Sequence, residues 1–237
     1  MTQNPKYFIS APFGNYIKPE GTIPVTGTWT LKPRGNRFWA VMKTLRYNKE
    51  AGGWTNKLGL PNPGIDVGMR KTNRFRDILS LAEVNKGDFY KLNDFIPSNR
   101  SIELNLSCPN LEKKLTWESA RVLLNDTRKW CIAKLSPLTT PEQLEFLIDD
   151  LGFTQLHFSN TLPVAKGGLS GVTLRPYTLE LIRLVRENWG DTVEIIAGGG
   201  VNDFGAVYEY LNEGANHVSL GSVCFNPFKL RKILRQQ

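Results

Sequence analysis

Eight short apolar runs, separated in the second half of the chain by stretches with helical spacing, constrain this chain more than any other feature. They lie at residues 7–11, 23–28, 78–82, 102–106, 131–135, 155–159, 193–197 and 217–220. Several are near-continuously apolar, the pattern of parallel strands covered on both faces. Residues 116–130 place Trp117, Ala120, Leu123 and Leu124 at helical spacing. At Thr140 a hydroxyl can cap a helix, Pro141 suits its first turn, and Gln143 completes a capping box. Residues 175–189 repeat Leu179, Ile182 and Val185 on one face, with Gly190 placed to end the helix. Asn202 or Asp203 is expected to cap residues 204–212, and residues 227–235 form a last short helix. Residues 66–76 are polar and basic, and are expected as a loop or short helix.

This alternation predicts parallel βα units. Eight strands predict an α/β fold closed as a (β/α)8 TIM barrel rather than an open sheet. Neither a repeat nor a linker interrupts residues 1–237, so a single domain is expected. A hydrophobic fraction of 41% with 22% charged residues excludes a disordered or fibrous chain. No run of about 18 apolar residues exists, so no membrane span is expected. The polar residues 1–6 lack the basic-then-apolar pattern of a leader.

Cys108, Cys131 and Cys224 form no close pair, and His157 and His217 sit in apolar runs. No metal site is expected, and free thiols fit a reducing, cytoplasmic setting. The net charge of +8 admits an anionic ligand or nucleic acid. Basic residues cluster only at Arg70, Lys71, Arg74 and Arg76 and at Lys229, Arg231, Lys232 and Arg235.

In a barrel of this kind chemistry sits where strands end. After the fourth run stands Asn105-Leu106-Ser107-Cys108-Pro109-Asn110, which gathers two carboxamides and a thiol at the mouth. Carboxamides offer both donor and acceptor to an imide or amide edge. The thiol can act as base or nucleophile if activated, or can be a small buried filler. Asn56 through Gly64 is a Gly/Pro-shaped loop able to present backbone N–H groups. Lys134, among apolar neighbours in the fifth run, is costly to bury without an anion, and a ligand is the natural one. After the sixth run come Asn160 and Thr161, then the Gly-rich stretch at residues 167–171, a cover or a phosphate contact. Gly198-Gly199-Gly200 before a helix, with Gly221-Ser222 after the eighth run, make a phosphate signal.

Taken in order, N-x-x-G-L-P-N at residues 56–62, N-L-S-C-P-N at 105–110, Lys134, S-N-T, G-G-L-S-G, A-G-G-G-V and L-G-S resemble the dihydroorotate dehydrogenase family. The agreement spans Ala11 to Ser222 and looks like the soluble class, with a cysteine base. The resemblance implies an FMN-dependent oxidoreductase that converts dihydroorotate to orotate in pyrimidine biosynthesis. It assigns Cys108 as the base at C5, with hydride passing from C6 to the flavin, and Lys134 to charge on the reduced flavin. Asn56, Asn105, Asn110, Asn160 and Thr161 would hold the pyrimidine, and Leu58, Gly59 and Leu60 its carboxylate. Ala11, Thr26, Asn105, Lys134, Asn160, Ser170, Gly171, Gly199, Gly200, Gly221 and Ser222 would contact the flavin. Fumarate is the implied acceptor and a homodimer the implied assembly. Neither a membrane nor nucleic acid is the expected partner.

The sequence departs from the family in two places. Gly27 stands where members carry a lysine before T-L-x-P-R, leaving Lys57 and Lys32 as the nearest substitutes. The segment 111–115 after Asn110 is trimmed and bears Lys113 and Lys114. Other readings of the same residues are an FMN enzyme for another dihydropyrimidine or for dihydrouridine in RNA, and a flavin-binding barrel without activity.

Overall fold

The computed structural model describes residues 4–106 and 117–236. The first half holds β1 (Tyr7–Ile9), β2 (Thr22–Trp29), α1 (Arg37–Thr44), β3 (Arg46–Asn48), β4 (Gly53–Asn56) and α2 (Ile65–Lys71). There follow β5 (Ile78–Leu81), α3 (Asp88–Phe95), β6 (Ile102–Asn105), β7 (Cys131–Lys134), α4 (Pro141–Glu145) and β8 (Gln155–Phe158). The chain continues through β9 (Leu162–Val164), β10 (Gly167–Gly171), α5 (Arg175–Trp189), β11 (Glu194–Ala197), α6 (Phe204–Asn212), β12 (His217–Leu220) and α7 (Pro227–Leu234).

β1, β2, β5, β6, β7, β8, β11 and β12 close into one parallel barrel, with β12 returning to pair with β1. Each of the eight predicted runs supplies one of these strands. Alternation along the strands divides the molecule into two interiors. Outward residues such as Leu79, Leu81, Ile102, Leu104, Ala133 and Leu156 join the helices in the larger core. Inward residues Phe8, Val25, Ile78, Ile132 and Ile196 plug the N-terminal end of the barrel with Trp130. Above that plug the inward positions turn polar: Ser80, Glu103, Lys134, His157 and Ser219 are all buried.

The helix signals behave as their chemistry dictates. Thr140 caps α4 in a complete capping box with Gln143. α5 ends at Gly190, whose φ is 55°. Asp203, rather than Asn202, caps α6 by accepting from Ala206 N. The expected helix at 116–130 is instead a 3-10 turn at Trp117–Leu123 within the described residues. Asn125 ends it: Oδ1 accepts from Thr127 N at 2.9 Å and from Thr127 Oγ1 at 2.8 Å, and this local turn replaces helical bonding. Arg128 Nε then donates to Leu123 O and seals the break.

A second sheet, in the order β3-β4-β10-β9, stands beside the barrel. The Gly-rich stretch, read as either a cover or a phosphate contact, is a strand, β10, paired antiparallel to β4. Its glycines permit close approach. A Cβ on Gly171 would meet Gly53 Cα at 2.7 Å, and one on Gly167 would collide with Asn56 O.

Candidate active site

Where the barrel strands end, two adjoining cavities of about 380 Å³ and 120 Å³ open, sharing Ala11, Pro12, Arg37, Asn56, Leu58, Lys134, Asn160 and Thr161. Lys134 is brought there by its inward register on β7, opposite Asn105 of β6. Asn160 Nδ2 donates to Asn105 Oδ1 at 2.9 Å, and Asn105 Nδ2 donates to Thr28 Oγ1 at 3.3 Å. Thr28 in turn bonds Ser80 at 3.0 Å. Asn56, at the end of β4, donates from Nδ2 to Gly168 O and accepts from Leu58 N, each at 3.4 Å. The carboxamides are thus held in fixed orientation before any ligand arrives.

Beneath them Lys134 has a partner that the sequence reading attributed to a ligand. Glu103, inward on β6 and fully buried, lies 3.9 Å from Lys134 Nζ. His157 Nδ1 donates to Glu103 Oε2 at 2.6 Å. Burial pushes the Glu103 carboxyl up, but Lys134 and His157 outweigh it and bring it down to about 2. Burial, reinforced by Lys134, pulls His157 below its ordinary value, so it stays neutral near pH 7. The barrel interior therefore holds an ammonium and a carboxylate as a compensated pair. The signal for Glu103 was present: it is a charged residue in an apolar run, as Lys134 is.

The larger cavity has a glycine wall. Gly199 has φ 89° and Gly200 φ 70°, and a Cβ on Gly200 would meet Val172 Cα at 2.7 Å and Gly171 O at 2.9 Å. Tyr210 of α6 donates to Gly199 O at 2.5 Å, and Arg175 of α5 donates to Gly200 O at 3.2 Å. Ser170, Gly171, Gly221 and Ser222 line the same compartment, with Phe13, Ile17, Leu174 and Val201 as apolar surface. A volume of this size, with apolar walls, bare backbone and one buried cation, fits a flat phosphate-bearing group such as FMN.

Of the residues read from sequence, Ala11, Asn56, Leu58, Leu60, Asn105, Lys134, Asn160, Thr161, Ser170, Gly171, Gly199, Gly200, Gly221 and Ser222 line these cavities. Gly59 lies between two of them, its carbonyl accepting from Arg34 Nε at 3.2 Å. Thr26 does not reach the mouth: it is buried, with Oγ1 donating to Ile78 O, and Gly27 and Thr28 take the lining place. Cys108 and Asn110 lie outside the described residues. Lys32 and Lys57 are exposed and line neither cavity. The cation beside Gly27 is Arg37, which the sequence reading missed because it sits on α1, outside the strand ends.

The fold and mouth define a (β/α)8 barrel built to hold a flat polar ligand against a buried cation. The family profile of dihydroorotate dehydrogenase matches residues 21–236. The catalytic subunit of dihydroorotate dehydrogenase B (NAD(+)) from Endomicrobium trichonymphae is 30% identical, over 93% of this chain and 82% of that protein. The same subunit from Petrotoga mobilis is 31% identical, over 92% of this chain and 81% of the other. Among solved structures, the dihydroorotate dehydrogenase of Eimeria tenella in complex with ferulenol superposes with a TM-score of 0.76 at 17% identity. It covers 97% of this chain and 79% of that one. This chain belongs to the dihydroorotate dehydrogenase family, a family of FMN flavoproteins.

Proposed function

We propose that this chain oxidises (S)-dihydroorotate to orotate in pyrimidine biosynthesis, with FMN as its cofactor. The convergence of three carboxamides, a buried lysine and a glycine wall on one barrel mouth carries the reading. FMN, when bound, supplies at N5 the acceptor for a hydride leaving C6. Every other part of the task falls to this chain.

Asn56, Asn105 and Asn160 offer donors and acceptors to the imide edges of the ring, with the Thr161 hydroxyl beside them. Their mutual bonds fix these orientations in advance, which lowers the cost of binding. Lys134 holds an ammonium where negative charge develops. Gly199, Gly200, Gly221, Ser222, Ser170 and Gly171 would take the phosphate end. Backbone N–H groups of Leu58, Gly59 and Leu60 would face the substrate carboxylate.

The base at C5 is assigned to Cys108, three residues past the inward-facing Asn105. Burial pushes the Cys131 thiol up to about 11 and the Cys224 thiol up to about 12, so neither acts as a base near neutral pH. A free thiol is only a few per cent ionised there, so the rate should rise with pH.

The relatives, catalytic subunits of NAD(+) enzymes, favour electrons leaving through a second subunit to NAD(+). Fumarate, implied by the family resemblance, is the competing acceptor, and a homodimer remains the proposed assembly. No described helix is long and apolar enough to cross a membrane, and a cytoplasmic setting remains part of the proposal. Anaerobic addition of dihydroorotate to the yellow protein tests the proposal. Bleaching of the flavin band, followed by recovery with one acceptor from a panel, is expected. A flavin band that never bleaches refutes it.

A further inference from the structure

Arg37 opens α1, and Asn36 caps that helix by accepting from Phe38 N and Trp39 N. Its side chain turns to the mouth and lines both cavities. Nη2 donates to Gly27 O and Nε to Pro61 O, each at 3.2 Å, and Nη1 donates to Tyr16 Oη at 3.3 Å. A guanidinium carries five N–H donors. These three bonds take one from each nitrogen and leave one on each of Nη1 and Nη2 among the described residues. The arginines that meet a carboxylate among the described residues are Arg175, Arg183 and Arg186. Arg37 is half-buried at a ligand cavity with its charge uncompensated there.

The anchor for this arginine is also particular. Gly27 has φ 112°, and a Cβ there would meet Ser80 O at 2.6 Å and Trp29 N at 2.7 Å. Both are backbone, so β2 admits no side chain at 27, and the Gly27 carbonyl accepts from Asn15 Nδ2 at 3.0 Å as well as from the guanidinium. Pro61, the other anchor, directly follows Leu60, whose φ of 58° places it in the left-handed region. Such strained residues gather at ligand clamps. Asn62 Nδ2 holds the Leu60 carbonyl at 2.8 Å. Arg37 is therefore braced between a strand and a strained loop, with its free N–H pair beside the carboxamides.

We propose that Arg37 recognises an acidic substituent, a carboxylate, on a planar amide-bearing ring held by Asn56, Asn105 and Asn160. The inference rests on the pyrimidine reading above and assigns its charged group. A fork of two N–H groups grips a planar carboxylate in two places, which a lysine cannot do. Arg37 thus sets selectivity for the acidic ring over its neutral counterpart.

The test titrates FMN-loaded protein with orotate and, separately, with uracil, following the flavin band and the heat of binding. In Arg37→Ala, orotate affinity should fall about 10- to 100-fold, the worth of a hydrogen-bonded charge. Uracil affinity should stay within about twofold of the wild type, and Arg37→Lys should recover part of the loss. Equal weakening of both rings, or orotate binding untouched in both variants, overturns the assignment alone. Wild-type protein that holds flavin yet responds to neither ring overturns the pyrimidine reading as well.

Discussion

Glu103→Gln removes one negative charge from the inside of the barrel and changes almost nothing in shape. The carboxylate is fully buried, and Lys134 lies 3.9 Å away with its side chain 8% exposed. At that separation two unit charges interact by about 4 kcal/mol with an effective dielectric constant near 20. Breaking a buried pair by removing one partner costs about 3–5 kcal/mol, because the remaining charge stays desolvated. The carboxyl sits at about 2 in the folded protein against 4.5 for a free group. That difference is worth about 3 kcal/mol by linkage, a third view of the same interaction rather than an addition to it.

The sign follows from the depressed value. The contribution is fully present above pH ~4.5, where the unfolded chain is also ionised, and disappears as pH falls toward 2. Urea unfolding at pH 7 should therefore show Glu103→Gln less stable by about 3 kcal/mol with an unchanged m-value. At pH 3.5 the gap should narrow to about 2 kcal/mol. A loss below about 1 kcal/mol at pH 7, or a gap that does not move with pH, would refute the view that the pair is charged and compensated.

Lys134→Met should both lower the melting temperature, by leaving Glu103 unbalanced, and reduce retained flavin, read from the 450 to 280 nm absorbance ratio. Retention equal to wild type would remove Lys134 from the cofactor site. Cys108→Ala should keep its flavin but lose reduction by dihydroorotate near neutral pH in anaerobic stopped flow, and an unchanged rate would dismiss the base assignment. Gly200→Ala, with φ 70° and backbone at 2.7 Å from the new methyl group, should cost at least ~1–2 kcal/mol and weaken FMN binding. Normal binding would show that the wall yields more easily than its geometry implies.

The barrel strands were legible because parallel strands buried on both faces have to be apolar almost throughout, and short runs such as Tyr7–Ile9 and Ile78–Leu81 carry that signature. The site was legible where function sits at strand ends, as at Asn105, Lys134 and Asn160. What escaped was set by contacts between distant segments. β3 and β4 are short: β3 is mostly exposed, and β4 begins on a glycine and pairs with β10, more than a hundred residues away. Glu103 looked like one more polar residue until the register of β6 and β7 turned it inward beside Lys134. Arg37 was invisible as a site residue because its place depends on the backbone of Gly27, whose missing side chain reads from sequence only as a loss. The turn at Asn125 won over helical spacing for a local reason that two hydrogen bonds make plain.

The pairing of β4 with β10 ties Asn56 to Gly168 across 112 positions of sequence. One stretch leads into the loop assigned to the substrate, and the other forms part of the wall assigned to the cofactor. Lengthening either hairpin alone would drag the second compartment out of shape along with the first. The two pockets are thus mechanically coupled through a single pair of strands.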